Sequence, residues 1–583
     1  MSGQDAAASL SSDHFALFKR VAALLTALDV SLGMLVLLAA VPTALAAAAL
    51  LAPHYLLSRE MTWDLLFNLA GAWHLHFGHV PHVDFHEPVG QLNFLLTEAG
   101  FLLLGPTPRA FLAGAALVAL AIFAASVFVV WRRLPILPAA IFVVFACLLV
   151  LMPANVGDHP NVYSFAMSYN RYGWSAFAIL SLILFLPPHD HRRRRDIAEM
   201  AIAAGLLIAM FYLKVTYFVV GAAALGVALV VCPHVRVRWK GWAACALLAV
   251  LLPALPNNWP YIADLVAAAS AGGVRDSLAN HLVNFLANAA EYAPYAAAFA
   301  IALWMWRHGT APLRLPVATG FLLVTAAALL SQNTQAHGLP AAVVVAFLFY
   351  DVLRNRKVRR RAGGSLSMLA SLLVFPLLAI ATSAASLGGY FAKTADVTLR
   401  VVDNTNLHGL AVPLDKHGSV LAAFANGSSQ YRLLNLARSV KTRFELSAAE
   451  YVETLLEAAS MLANDRCTVV LLDQVNPLPF MLGLEPPRGG NLWSGAGAPV
   501  QPAEQVFAGA DCVLIPKFST YSPWTEAAVA AYAPYLATQF RYGEESQSWF
   551  LLRRHAQIAA PPDRMPLADP ITAIRAYSSP SQP

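Results

Sequence analysis

A chain of 583 residues in which 58% of side chains are hydrophobic and only 12% charged, with a mean hydropathy of +0.58, is too apolar for an ordinary soluble protein, where roughly a quarter are charged. The net charge of +6 does not point to nucleic acid, because Lys and Arg fall in short tracts between apolar runs, as topology determinants do. Composition thus excludes a soluble enzyme and a nucleic-acid binder, and predicts a polytopic α-helical membrane protein.

Lys19 and Arg20 precede the first apolar run, Ser31 to Ala52. That apolar region, about thirty residues with its flank, is longer than the ~7–15 residues of a signal-peptide core, so it reads as an uncleaved anchor. The loop that follows, residues 54–109, is polar and crowded: Asp64, His74, His76, His79, His82, Asp84, His86 and Glu87 all fall within it. Acids and imidazoles beside a membrane span are costly unless they face water or a cavity, which marks this loop as a functional site.

Ten further apolar runs follow: Ala110 to Trp131, Leu137 to Met152, Tyr172 to Leu186, Ile197 to Leu213, Thr216 to Val231, Trp242 to Leu255, Ala293 to Trp306, Pro316 to Leu330, Leu339 to Leu353 and Leu366 to Tyr390. With a rise of ~1.5 Å per residue against ~30 Å of hydrocarbon, they predict about eleven crossings, with a break at Lys214. On that list the tracts Lys19-Arg20, Arg132-Arg133, Arg192 to Arg195, Arg236-Arg238-Lys240, Arg307 with Arg314, and Arg354 to Arg361 all fall on one side. The positive-inside rule makes that side, and the N-terminus, cytoplasmic in a multi-pass cytoplasmic (inner) membrane protein. The opening loop, Pro153 to Arg171, Lys214, Pro256 to Tyr292, Ser331 to Gly338 and everything after Tyr390 then face outward.

Residues 1–390 therefore read as the transmembrane catalytic part, and residues 391–560 as an extracytoplasmic α/β domain. In the latter, Ser447 and Glu450 stand at capping-box spacing before a helical periodicity, and strands are expected at Cys467 to Leu472, Cys512 to Pro516 and Ser548 to Arg553. A second helix is expected around Pro523 to Ala537. Cys467 and Cys512 each open a strand-like run, and adjacent parallel strands would bring them into bonding range; Cys147, Cys232 and Cys245 read as small buried hydrophobes. The Pro- and Ser-rich residues 561–583 read as a loose tail.

The order of a first span, an outward loop with an acid close after it, VPHVDFHEPVGQL, a short apolar stretch, Phe101 to Gly105, and a second span resembles the GT-C superfamily of polyprenyl-phosphate-sugar-dependent glycosyltransferases. That superfamily includes the protein O-mannosyltransferases and the lipid A aminoarabinose transferases. The resemblance covers the opening loop well, the membrane region in pattern and the tail in position. It implies an inverting transfer of a sugar from a polyprenyl-phosphate donor to an envelope glycan, lipid or protein at the outer face of the membrane.

Such a transfer needs a carboxylate to take the acceptor's proton and a cation or metal for the phosphate leaving group. Asp64 is similar in position to the superfamily's catalytic acid and is the first choice of base. Asp84 is its rival, with helix or turn capping as the alternative for each. Lys214 and Arg171, basic residues on the outward side, are the candidates for the donor phosphate. Relatives that place a Lys before paired prolines differ from this chain, which has His86, Glu87 and a single Pro88. His86, Glu87, Asn170, Asp158, His159, Gln332, Gln335 and His337 are candidates for sugar or acceptor contacts. No cofactor is certain from the residues, but Asp158 and His159, with Asp64 or Asp84, are candidate ligands for Mg or Mn. An O-antigen polymerase or ligase would place its working residues in a large late loop, and a transporter or flippase would place ionisable groups inside spans; neither pattern is present.

Overall fold

The computed structural model describes residues 24–27, 31–155, 159–189, 192–271, 286, 289–331, 339–361, 366–395, 399–402, 406–414, 446–463, 467–495, 498–517 and 522–555. Lys19-Arg20, Asp158, Gln332, Gln335, His337 and residues 561–583 lie outside them.

Each predicted apolar run is a helix. They are α1 (Leu32–Leu51), α4 (Arg109–Val130), α5 (Ile136–Leu151), α6 (Ser168–Phe185), α7 (Arg193–Leu213), α8 (Val215–Val231), α9 (Trp239–Leu251), α11 (Ala289–Arg307), α12 (Arg314–Ser331), α13 (Leu339–Leu353) and α14 (Val374–Lys393), the last preceded by a short turn of helix at Leu366–Leu372. Lys214 breaks α7 from α8, as expected. By length and composition four are long and apolar enough to cross a membrane: α1, α4, α7 and the Ser367–Lys393 run. The pair formed by α9 and Pro256–Ala271, bent by 58°, makes up to five, and the other apolar helices are shorter than the ~20 residues a perpendicular crossing takes. Leu45, Leu120, Val219 and Val230 point outward from their helices, an apolar surface too extensive for water and suited to lipid.

Among the described residues, one arginine from each of five basic tracts is drawn to one end of these helices by three acids. Glu199 pairs with the buried Arg133 at 2.5 Å and with Arg195 at 3.1 Å, Asp196 pairs with Arg238 at 3.0 Å, and Asp351 pairs with Arg314 at 2.7 Å and Arg354 at 3.0 Å. Arg133 and Arg314 also donate to the carbonyls of Leu186 and Phe185, which ties the two clusters to the end of α6. Lys214 sits at the opposite end of α7, and 21 residues of helix separate the two ends by about 31 Å, the thickness of the hydrocarbon core.

The opening loop folds into α2 (Thr62–His76) and α3 (Leu92–Leu104), with α10 (Trp259–Ala271) packed beside it. It is stitched to the segment after Lys393. Its strand β1 (Leu56–Leu57) pairs in parallel with β3 (Leu410–Pro413), which pairs antiparallel with β2 (Leu399–Val402), so one sheet joins the opening loop to the segment after α14. Beyond it, α15 (Ala448–Met461) starts at the predicted capping box, with Ser447 and Glu450 bonding each other's backbone N–H at 2.8 and 3.2 Å. The strands β4 (Val469–Leu471), β5 (Cys512–Pro516), β6 (Phe540–Glu545) and β7 (Trp549–Arg554) form a mixed sheet in the order β4-β5-β7-β6, with β4 and β5 parallel and a helix, α16 (Ser522–Gln539), before β6. The parallel pair brings Cys467 and Cys512 to a Cα separation of 5.9 Å, and they form a disulfide. β6, with one buried and five exposed positions, lacks the apolar run that announces β5 and β7.

The Arg133–Glu199 pair has a direct stability consequence. Glu199→Ala leaves the Arg133 guanidinium buried without its carboxylate, so thermal unfolding in detergent should register a loss of roughly 3–5 kcal/mol, while Arg133→Met/Glu199→Met should regain part of it. An unchanged melting temperature in Glu199→Ala would contradict the pair.

Candidate active site

Two helices of the site begin in the same unusual way. Met61, the residue before α2, has φ 51 and ψ 41, and Met167, the residue before α6, has φ 48 and ψ 37. A left-handed backbone at a residue with a side chain costs about 1–3 kcal/mol and persists only where surrounding structure imposes it, which is common at functional sites. Each turn sets a polar residue in the first turn of its helix: Asp64 in α2, and Asn170 and Arg171 in α6.

Asp64 is half-buried, and desolvation pushes its pKa from 3.8 up to about 7. The dipole of the Met167 backbone N–H favours the charged form and pulls the other way. Behind it runs a buried amide chain: Asn68 Nδ2 donates to the Asp64 carbonyl at 2.8 Å, Asn93 Nδ2 donates to Asn68 Oδ1, and Ser168 Oγ donates to Asn93 Oδ1 at 3.1 Å. This chain locks α2, α3 and α6 together around the acid.

The same turn of α6 reaches the cation. Lys214 Nζ donates to Asn170 Oδ1 at 3.4 Å and lies 5.4 Å from the Tyr169 ring, and burial pushes its pKa down to about 8. The first turn of α6 thus bonds Lys214 through Asn170 and turns the Met167 N–H toward Asp64. Gly90 closes the approach: its N–H donates to the Leu213 carbonyl at 3.2 Å, and a Cβ there would lie 2.1 Å from the Tyr212 carbonyl oxygen. Arg171, one residue on, is buried and donates to the Ala154 carbonyl at 2.9 Å.

Glu87 belongs to the same electrostatic unit as Asp64. It is buried, one oxygen accepts from the Val89 N–H at 3.2 Å, and Oε2 has no hydrogen-bond partner among the described residues. Burial, with the added charges of Asp264 and Asp64, raises its pKa well above the ordinary carboxylate range. The turn that carries it is clasped by Asp264 of α10, which accepts from His82 Nδ1 at 2.9 Å, His86 Nδ1 at 2.8 Å and the Glu87 N–H at 3.0 Å. His86 is held on its far side by Gln505, at 2.8 Å between the two Nε2 atoms.

Asp84 stands in a different setting. Its Oδ2 accepts from the Val80 N–H at 2.7 Å and its Oδ1 faces Arg488 at 3.3 Å, so both oxygens serve the turn and its contact with the chain's later part. His74 and His79 pair through their Nδ1 atoms at 3.0 Å, and burial drives the His74 pKa to about 3, so it is neutral. His159 is exposed, and its Nδ1 accepts from the Asn161 N–H at 3.4 Å. Among the described residues no group of three or more His, Cys, Asp or Glu is placed to hold a metal ion.

Some participants were not read from sequence. Asn68 follows Asp64 by four residues on one helix face, a spacing that could have flagged it. Asp264, Arg488, Gln505 and Tyr451 come from 177 or more positions away from their partners in the loop, and no local pattern announces them. Tyr451 of α15 packs edge-on against Trp63 at 6.0 Å and feels the Asp64 charge.

No family model matches this chain, and no curated protein matches it. Among solved structures, it is similar to the crystal structure of ArnT from Cupriavidus metallidurans bound to undecaprenyl phosphate, at 15% sequence identity and a TM-score of 0.40, over 91% of this chain and 100% of that one.

The raised pKa of Asp64 is directly measurable. In infrared difference spectra across pH, a carboxyl band present in the native protein and missing in Asp64→Asn should titrate near pH 7. Titration near the ordinary value of 3.8 would show that the group is open to water.

Proposed function

We propose that the chain is a membrane glycosyltransferase of GT-C type that moves a sugar from a polyprenyl-phosphate donor to an envelope acceptor. The observation that carries the proposal is that the first turn of α6 serves both Asp64, a carboxyl with its pKa near 7, and Lys214, a partly desolvated ammonium that donates to Asn170. The sequence resemblance in the opening loop supports the same reading.

In the reaction, the acceptor hydroxyl oxygen attacks the anomeric carbon and forms the new glycosidic bond. The bond from that carbon to the phosphate oxygen breaks, and its electron pair leaves with the polyprenyl phosphate. Asp64 takes the hydroxyl proton, and Lys214 meets the negative charge on the departing phosphate. Attack from the face opposite the leaving group inverts the anomeric centre. Glu87, whose pKa burial raises well above the ordinary carboxylate range, is suited to hold a sugar hydroxyl through its unpartnered oxygen. His86 and Asn170 complete the polar wall. Asp158 and His159 remain the proposed ligands for a divalent cation.

The gathering of basic tracts about 31 Å from Lys214 supports a catalytic site on the extracytoplasmic face of the cytoplasmic membrane, with the segment after Lys393 on that face. A disulfide between Cys467 and Cys512 suits an oxidising compartment.

A purified protein given a polyprenyl-phosphate sugar and an envelope extract tests the assignment. Asp64→Asn should lower turnover by about 10²-fold or more with donor binding kept, whereas Asp84→Asn should leave most of it. The base must be deprotonated and the lysine protonated, so the rate should rise with pH through about 7 and fall again beyond about 8. Full activity in Asp64→Asn would end the assignment; loss in Asp84→Asn alone would transfer the role of base to Asp84.

A further inference from the structure

At the end of the helices where the basic tracts gather, Asp196, Glu199 and Asp351 are all engaged with Arg133, Arg195, Arg238, Arg314 and Arg354. Outside that paired layer, Arg193, Arg194, Arg236 and Lys240 are exposed. Two features draw these four together. Arg238 reaches Asp196 at 3.0 Å and ties the loop before α9 to the first turn of α7. Gly241 lets the two helices close up, because a Cβ there would lie 2.6 Å from the Met200 Sδ. As α7 begins at Arg193 and α9 at Trp239, two helix N-termini add positive partial charge to the same patch.

Beside the cations stand apolar side chains with no cover: Ile197 is 54% exposed, Trp239 56% and Val237 81%. An aromatic and two aliphatic residues among cations fit the boundary between lipid headgroups and acyl chains. The Arg356–Arg361 tract is richer in charge but lacks this partner, since Val358 within it is only half-exposed and Arg359 is buried.

We propose that Arg193, Arg194, Arg236 and Lys240 form a binding site for the phosphodiester headgroup of an anionic phospholipid, with Ile197, Val237 and Trp239 against its acyl chains. The site lies a helix length from Lys214 and does not depend on the transferase reading. The four cations act together on one phosphodiester, and the apolar trio selects a lipid over a soluble anion.

The full-length protein in neutral detergent, titrated with phosphatidylglycerol, phosphatidylcholine or inorganic phosphate, tests this by thermal shift and by native mass spectrometry of retained lipid. Phosphatidylglycerol should raise the melting temperature in a salt-sensitive way, and phosphatidylcholine and inorganic phosphate should not. The variant Arg193→Gln/Arg194→Gln/Arg236→Gln/Lys240→Gln should bind phosphatidylglycerol about tenfold or more weakly, whereas Arg356→Gln/Lys357→Gln/Arg360→Gln/Arg361→Gln, which removes the same charge, should stay within about twofold of native. If the first variant does not fold, Arg236→Gln/Lys240→Gln carries the comparison. Equal losses in the two tracts would make the attraction diffuse, and an equal shift with inorganic phosphate would make the ligand a free anion; either result overturns the proposal.

Discussion

The buried chain from the Asp64 carbonyl through Asn68 and Asn93 to Ser168 is the contact on which the site depends. It joins two helices that both begin with a left-handed methionine, and it fixes where the first turn of α6 points. From that turn Asn170 reaches Lys214, and Lys214 in turn is placed by the break between α7 and α8. A shift in the Met167 turn would therefore separate acid from cation even if neither residue changed. The buried amides of Asn68 and Asn93 and the hydroxyl of Ser168 make that shift costly, because each would lose a partner in a dry setting.

A second constraint is the clasp of the opening loop between α10 and the later part of the chain. Asp264 takes three hydrogen bonds from the His82–Glu87 turn on one side. On the other, the His86 N–H donates to the Gly490 carbonyl at 3.0 Å, the Leu492 N–H donates to the His86 carbonyl at 3.0 Å, and the Trp73 Nε1 donates to the Leu484 carbonyl at 2.8 Å. The histidines that crowd the loop thus serve largely as struts. They hold Glu87 where burial and the charges of Asp264 and Asp64 raise its pKa well above the ordinary carboxylate range, beside an acid of intermediate pKa.

Much of the helical frame was legible in the sequence because apolar runs report burial in lipid or protein directly. The break at Lys214, the capping box at Ser447 and Glu450, and the parallel approach of Cys467 to Cys512 were all visible as local patterns. The number of crossings was not, since several runs are helices too short to decide it by length. At the site, Asp64, Asn170 and Lys214 were named from sequence and lie together, while Arg171 turns inward to Ala154 and Asp84 is taken up by Val80 and Arg488. Side-chain direction decides between such neighbours, and residue type alone does not carry it. The contacts made by Asp264, Arg488 and Gln505 join distant parts of the chain, so they emerge only from the tertiary fold.

Sugar transfer at the end of the helices holding Asp64 and Lys214 is the proposal to be tested. Its most direct measurement is mass spectrometry of envelope glycans and glycolipids from cells whose only copy of the protein is native or Asp64→Asn, at equal membrane levels. One envelope species should lose a single sugar in the Asp64→Asn cells. An identical set of envelope species in the two would contradict it.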